Sequence, residues 1–175
     1  MADTKISALA ALTGANTSTS SCALPIYDAV AGSTKKIIVD ELLIAFGTTS
    51  GTTSSTFTFD GSGGSSGSIT LSWIKRGNWV TLNLPPVIAT TGTNSTALSS
   101  NTALPAAIRP TNIQDCPVNN VVNSGGPIAA AGIIRVATAG TLSILRDHAG
   151  TAFTNSTSCG IGINVNGTTI TYFIG

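Results

Sequence analysis

Hydrophobic spacing divides this chain into a head and a body. In the head, Asp40-Glu41-Leu42-Leu43-Ile44-Ala45-Phe46-Gly47 supplies an N-cap carboxylate, an acid in the first turn, good helix formers and a terminal glycine, the order that a short helix requires. Before it, residues 24–28 and 35–38 are short extended runs separated by the turn-like Ala29-Val30-Ala31-Gly32-Ser33, so they are expected to pair or to lie along a neighbour. Beyond Gly47 the period becomes two. Phe57 and Phe59 alternate with Thr56, Thr58 and Asp60; Ile69, Leu71 and Trp73 alternate with Thr70 and Ser72. Lys75-Arg76-Gly77-Asn78 then interrupts, and Trp79-Val80-Thr81-Leu82-Asn83-Leu84 resumes, which is a strong hairpin signal. Pro85-Pro86 ends it, because proline gives no donor to a ladder.

Further on, Leu104-Pro105 and Arg109-Pro110 bracket a segment expected to be extended, and residues 118–122 form a candidate strand. Two hairpins are expected to close the chain. One joins 131–136 to 142–145 through Ala139-Gly140; the other joins 161–165 to 169–174 across Asn166-Gly167, a favoured type I′ pair. Regularly spaced strands with turns between them predict a mainly β protein: an antiparallel β-sandwich or jelly-roll-like body behind a short extended and helical head. The stretch 48–56 is Gly, Thr and Ser with no large apolar residue, which reads as a linker. The expected organisation is therefore 1–47 as an N-terminal segment, 48–56 as linker and 57–175 as the β domain. Residues 61–67 and 90–102 read as loops.

Composition adds limits on function. Hydrophobic residues make up 42% of the 175, enough for a core, but charged residues only 9%, so the solvent face is built from hydroxyls and amides. A net charge of +1 supplies no field to collect the phosphates of a nucleic acid. So few charges protect a single subunit poorly, and apolar surface is expected to be buried between copies. The three cysteines, Cys22, Cys116 and Cys159, contain no CxxC pair and read as free, mostly buried thiols rather than a disulfide framework or zinc site. Residues 6–12 are too short and too weakly apolar to span a membrane, and Met1-Ala2-Asp3 lacks the basic start of a secretory signal; synthesis in a cytoplasm is expected.

Candidate chemistry is sparse. His148, beside Asp147, is the lone histidine, and a triad would need distant partners; a loop or interface residue is the plainer reading. Of the acids, Asp60, Asp115 and Asp147 lie in the β body, where capping or solvated roles fit better than paired carboxylates for glycoside cleavage. Gly61-Ser62-Gly63-Gly64 lacks the context of a phosphate loop. Trp73 and Trp79 flank the first hairpin and suit sugar stacking, although strand aromatics more often serve a core or a subunit contact. The acceptor patterns at Asn16, Asn94, Asn155 and Asn166 arise easily in so Ser/Thr-rich a chain. No catalytic, cofactor-binding or metal-binding residue is assigned, and no cofactor is expected.

One resemblance organises these readings. Lys5-Ile6-Ser7-Ala8-Leu9 with Leu12-Thr13-Gly14-Ala15, Leu24-Pro25, and Thr34-Lys35-Lys36-Ile37 leading to Glu41-Leu42 resemble an N-terminal module of tailed-bacteriophage virion proteins, notably tail-fibre and head-fibre proteins. Arg76-Gly77-Asn78-Trp79-Val80-Thr81, Leu104-Pro105 with Arg109-Pro110, and the Gly140 hairpin before Ile170-Thr171-Tyr172 are similar to distal β domains of phage fibres. The resemblance implies a non-enzymatic virion protein, assembled in the host cytoplasm and moored to a major capsid or other virion protein by its N-terminal segment. It also implies a homotrimer, with host surface glycan as a further partner and neither nucleic acid nor membrane. Shaft repeats and coiled-coil heptads are lacking, which favours a capsid decoration or short head fibre over a receptor-binding tail fibre or baseplate protein.

Overall fold

The computed structural model describes residues 23–28, 33–38, 47–60, 64–90, 95–154, 158–162 and 167–175. The chain divides into two compact units, 1–47 and 48–175. In the first, β1 (Ala23–Asp28) and β2 (Ser33–Ile38) pair antiparallel from Ala23 opposite Ile38 to Asp28 opposite Ser33, so the two extended runs do pair. The helix expected over 40–46 lies outside the described residues.

The second unit is mainly β, built from three antiparallel sheets. The first sheet contains β3 (Thr48–Ser55), β5 (Ile69–Arg76), β6 (Trp79–Leu84) and β15 (Thr168–Phe173), in the order β15-β6-β5-β3. The second runs from β4 (Phe57–Phe59) through β8 (Ala97–Ser100), β13 (Leu142–Leu145) and β12 (Gly132–Val136) to β9 (Gln114–Val118). The third runs from β11 (Gly126–Pro127) through β10 (Val121–Asn123) and β14 (Cys159–Ile161) to β7 (Val87–Ala89). All of them feed one core. Val80, Leu82 and Leu84 of the first sheet meet Phe57, Leu98, Ile134 and Ile144 of the second and Val87, Val121 and Ile161 of the third, each fully buried. Each such side chain withdrawn from water contributes about 1.5–3 kcal/mol.

Alternation explains β6 and β15, which bury every second residue against this core. The β5–β6 hairpin forms as expected, with Gly77 at φ 58° in the first position of its two-residue turn. The β12–β13 hairpin also forms, closed by Ala137 N–H to Thr141 O and Gly140 N–H to Ala137 O.

Several expectations change. Residues 48–55, read as linker, are strand β3, paired with β5 along its whole length. An edge strand needs only backbone bonds and β-branched threonines on one side, so it carries no hydrophobic signature. Within 90–102, Leu98 is buried on β8 between Ala97 and Ser99, too short a pattern to stand out. Strand 118–122 is two strands, β9 ending at Val118 and β10 starting at Val121. The turn expected at Asn166-Gly167 lies, with residues 163–166, outside the described residues; β15 pairs with β6, and β14 lies between β10 and β7. Burial of Ile170 and Tyr172 beside Leu82 and Val80 favours that long-range pairing.

The segment between Pro105 and Pro110 is a 3-10 turn, Ala106–Ile108, rather than extended throughout. Proline suits the entry to a helical turn, and Pro110 holds Arg109 extended at φ −80°, ψ 135°. Tyr172 pins this turn by donating its hydroxyl to Ile108 O at 2.8 Å, and burial pushes the phenol pKa up. Tyr172→Phe leaves that carbonyl buried without its donor. A loss of about 1–3 kcal/mol is expected in a denaturant titration.

Candidate functional site

The alternation that fills the core also dictates what the first sheet shows to water. Its register aligns outward residues in rows: Thr52, Ser72, Asn83 and Thr169; then Ser50, Ile74, Thr81 and Thr171; then Thr48, Arg76, Trp79 and Phe173. A shallow groove of about 490 Å³ runs over this face, lined by hydroxyl residues with Asn83 and Ile74, and floored by Gly51 and the edge of Trp73. Its side chains carry hydroxyls, an amide and apolar groups but no charge. Thr81 and Thr171 hydroxyls bond across the strands at 3.3 Å, as do Ser54 and Thr70 at 3.1 Å.

Three of the four large apolar groups that the described body leaves in water stand in or beside the groove, the fourth being Ile113 just before β9. Trp79 is 56% exposed, Ile74 43% and Phe173 38%. Trp79 and Phe173 are register partners, their rings 5.2 Å apart and inclined at 60°, an edge-to-face pair. Such a face offers apolar contact and uncharged hydrogen bonding together. It suits another protein surface or a polyhydroxylated ligand, and it gives a nucleophile no base.

The two tryptophans part company here. Trp73 is on the inward side and packs against the core, with its indole over Gly51, where a Cβ would lie 2.6 Å from Cζ2. Its Nε1 is buried without a hydrogen-bond partner among the described residues. Trp79 faces out. Parity along the hairpin separates them, since Trp73 shares a face with Leu71 while Trp79 shares one with Thr81. The same parity marks Ile74 and Phe173, which sequence reasoning did not single out.

The other candidates serve the fold locally. Asp60 accepts hydrogen bonds from the Thr96 hydroxyl at 2.6 Å and from the N–H groups of Thr96 and Ala97. Burial of this carboxyl works to raise its pKa, but those bonds together hold it below the usual range. Asp115 on β9 forms a two-pronged pair with Arg135 on β12, at 2.7 and 2.8 Å, which lowers the acid's pKa and raises the guanidinium's. Asp147 accepts from Thr151 N–H, which with the Thr151 side chain lowers its pKa. His148 is exposed in the turn after β13. Cys116 and Cys159 are free and buried; Cys22 and the four Asn acceptor patterns lie outside the described residues. Among the described residues no group of three or more His, Cys, Asp or Glu is placed to hold a metal ion, and no helix is long and apolar enough to cross a membrane.

Asp60→Ala removes three bonds to a loop that leads into β8, and a loss of about 1 kcal/mol is expected at neutral pH. Because the folded pKa is the lower one, this stabilisation is present above the ordinary carboxylate pKa and lost as pH falls through the folded value. Thermal melts of parent and variant should therefore converge as pH falls below the ordinary carboxylate range.

The chain matches no protein-family model and no curated protein. Among solved structures it is similar to a reovirus attachment protein, sigma1, determined in complex with alpha-2,3-sialyllactose. The identity is 17%, the match covers 86% of this chain and 75% of that one, and the TM-score is 0.49.

Proposed function

We propose that this chain is a non-enzymatic structural protein of a virion surface, a capsid decoration or short head-fibre subunit moored through residues 1–47 and displaying the β body. The observation that carries the proposal is the outward face of the first sheet, where Ile74, Trp79 and Phe173 stand in water on a body with 9% charged residues. Such a surface fits a subunit that lives beside copies of itself and of other shell proteins. The phage-like motifs of the head support the mooring, and a homotrimer is the assembly that they imply. The acids and the histidine of the body fit this reading, since Asp60, Asp115 and Asp147 are each engaged in local hydrogen bonds. Particles assembled with a chain lacking residues 1–46 are expected to omit the protein, while the truncated chain stays soluble and folded. Incorporation of the truncated chain refutes the mooring role.

A second reading, a receptor-binding tail-fibre or baseplate protein, is favoured by one feature: the uncharged hydroxyl-lined groove beside the Trp79 and Phe173 rings, a surface suited to a host glycan. Cell binding that is competed by surface polysaccharide and lost in Trp79→Ala supports it. Binding unchanged by Trp79→Ala removes the Trp79 and Phe173 rings from consideration.

A further inference from the structure

A sheet edge is a row of unpaired N–H and C=O groups, and natural proteins shorten, charge, cover or break such edges with proline. Nearly every edge of this body is managed that way. Strand β4 is short and flanked by residues 64–66, through Phe59 N–H to Gly64 O and Ser66 N–H to Phe57 O. Strand β11 has two residues and ends in Pro127; β7 has three. Strand β9 contains Asp115 and Pro117 and lies against β15, whose Thr171 carbonyl accepts from Cys116 Sγ. The far end of β15 is held by Thr111 N–H to Ile174 O.

Strand β3 is the exception. It has eight residues, Thr-Thr-Ser-Gly-Thr-Thr-Ser-Ser, with no proline and no charge. Ser55 Oγ accepts from Thr102 N–H at one end, but residues 48–54 make hydrogen bonds only to β5 among the described residues. The body joins its own strands by hydroxyl pairs, Ser54 with Thr70, Thr81 with Thr171 and Ser99 with Ser143 at 2.9–3.3 Å. The complement to β3 is therefore another uncharged, hydroxyl-bearing strand.

We infer that a second copy of this chain adds its own β3 to this edge, antiparallel, about a two-fold axis through Gly51. In that register Thr48 faces Ser54 of the second copy, Thr49 faces Thr53 and Ser50 faces Thr52, so each pair is hydroxyl against hydroxyl and Gly51 meets itself. No like charges meet. The contact is the same patch on both copies, so it closes at two and yields a dimer, or joins larger assemblies in pairs. Pairing one strand buries less than a standard interface, which makes the dimer reversible. The inference concerns self-pairing alone and stands apart from placement on a virion.

Sedimentation velocity of the full chain over a range of concentrations tests it. The parent is expected to exchange reversibly between an unpaired form and one with twice as many copies. Ser50→Lys/Thr52→Lys sets like charges directly opposite twice across the seam and is expected to weaken pairing by roughly tenfold or more. Ser50→Lys/Thr52→Glu sets opposite charges there and is expected to restore it, with circular dichroism confirming that both variants fold. A second measurement avoids charge altogether: Ser50→Cys chains mixed with Thr52→Cys chains should form a covalent pair on mild oxidation. A parent that is monomeric at every concentration, an odd-numbered assembly indifferent to both charge variants, equal weakening by the two charge variants, or no cross-link in the mixture overturns the inference.

Discussion

Gly160→Ala is expected to abolish the native fold or to lower its stability by more than about 4 kcal/mol. Gly160 has φ 144° inside β14, and a Cβ there would lie 1.9 Å from the carbonyl oxygen of Val87 and 3.0 Å from its carbonyl carbon. Both atoms are backbone of the neighbouring strand β7, so no side chain can turn aside to relieve the overlap. Strand β14 would have to leave β7, and Cys159 and Ile161, both fully buried, would lose their packing with it. Soluble yield and thermal melting followed by far-UV circular dichroism measure the effect. A variant that melts within a few degrees of the parent would show that β14 and β7 can separate at little cost.

The second large effect is expected at Phe153. This residue belongs to no strand, yet it is fully buried, its ring 5.5 Å from that of Phe59 and inclined at 66°. Its N–H donates to Ser95 O, so the backbone ties the 151–154 segment to the approach to β8 and the ring ties it to β4. Phe153→Ala removes a whole ring from a close-packed interior, and cavities of this kind cost about 3–5 kcal/mol. Guanidinium unfolding should show a lower midpoint at an unchanged slope. A loss below about 1 kcal/mol would mean that the segment collapses into the space and that the ring is not a keystone.

These two residues also show where sequence reading stops. Period-two spacing announced β5, β6 and the strand character of 168–173, because each buries alternate residues on one side. The β5–β6 hairpin was legible because its partners are adjacent in sequence. Phe153 gave no such signal, since one aromatic among polar neighbours has no period. Strand β3 was hidden for the opposite reason: its order comes from a neighbour's backbone rather than from apolar side chains of its own. Partner choice was illegible wherever strands pair at long range. The Asn166-Gly167 signal spoke for a local hairpin, while burial of Ile170 and Tyr172 settled β15 beside β6. The candidate face was half legible. Trp79 could be named from sequence, but its companionship with Phe173 and Ile74 exists only once the register is known.

The pairing of β15 with β6 carries a consequence for how the body is made. Thr81 and Thr171 touch across 90 positions of chain, and Trp79 finds its ring partner only when Phe173 arrives. During synthesis the β5–β6 hairpin must wait, its indole uncovered and one flank unfilled, until β15 has emerged. Long-range closure of this sort is slow and leaves nascent chains prone to sticking to one another. The maturing chain is thus most prone to sticking before β15 docks, and a chaperone that shields the Trp79 side is expected to raise yield.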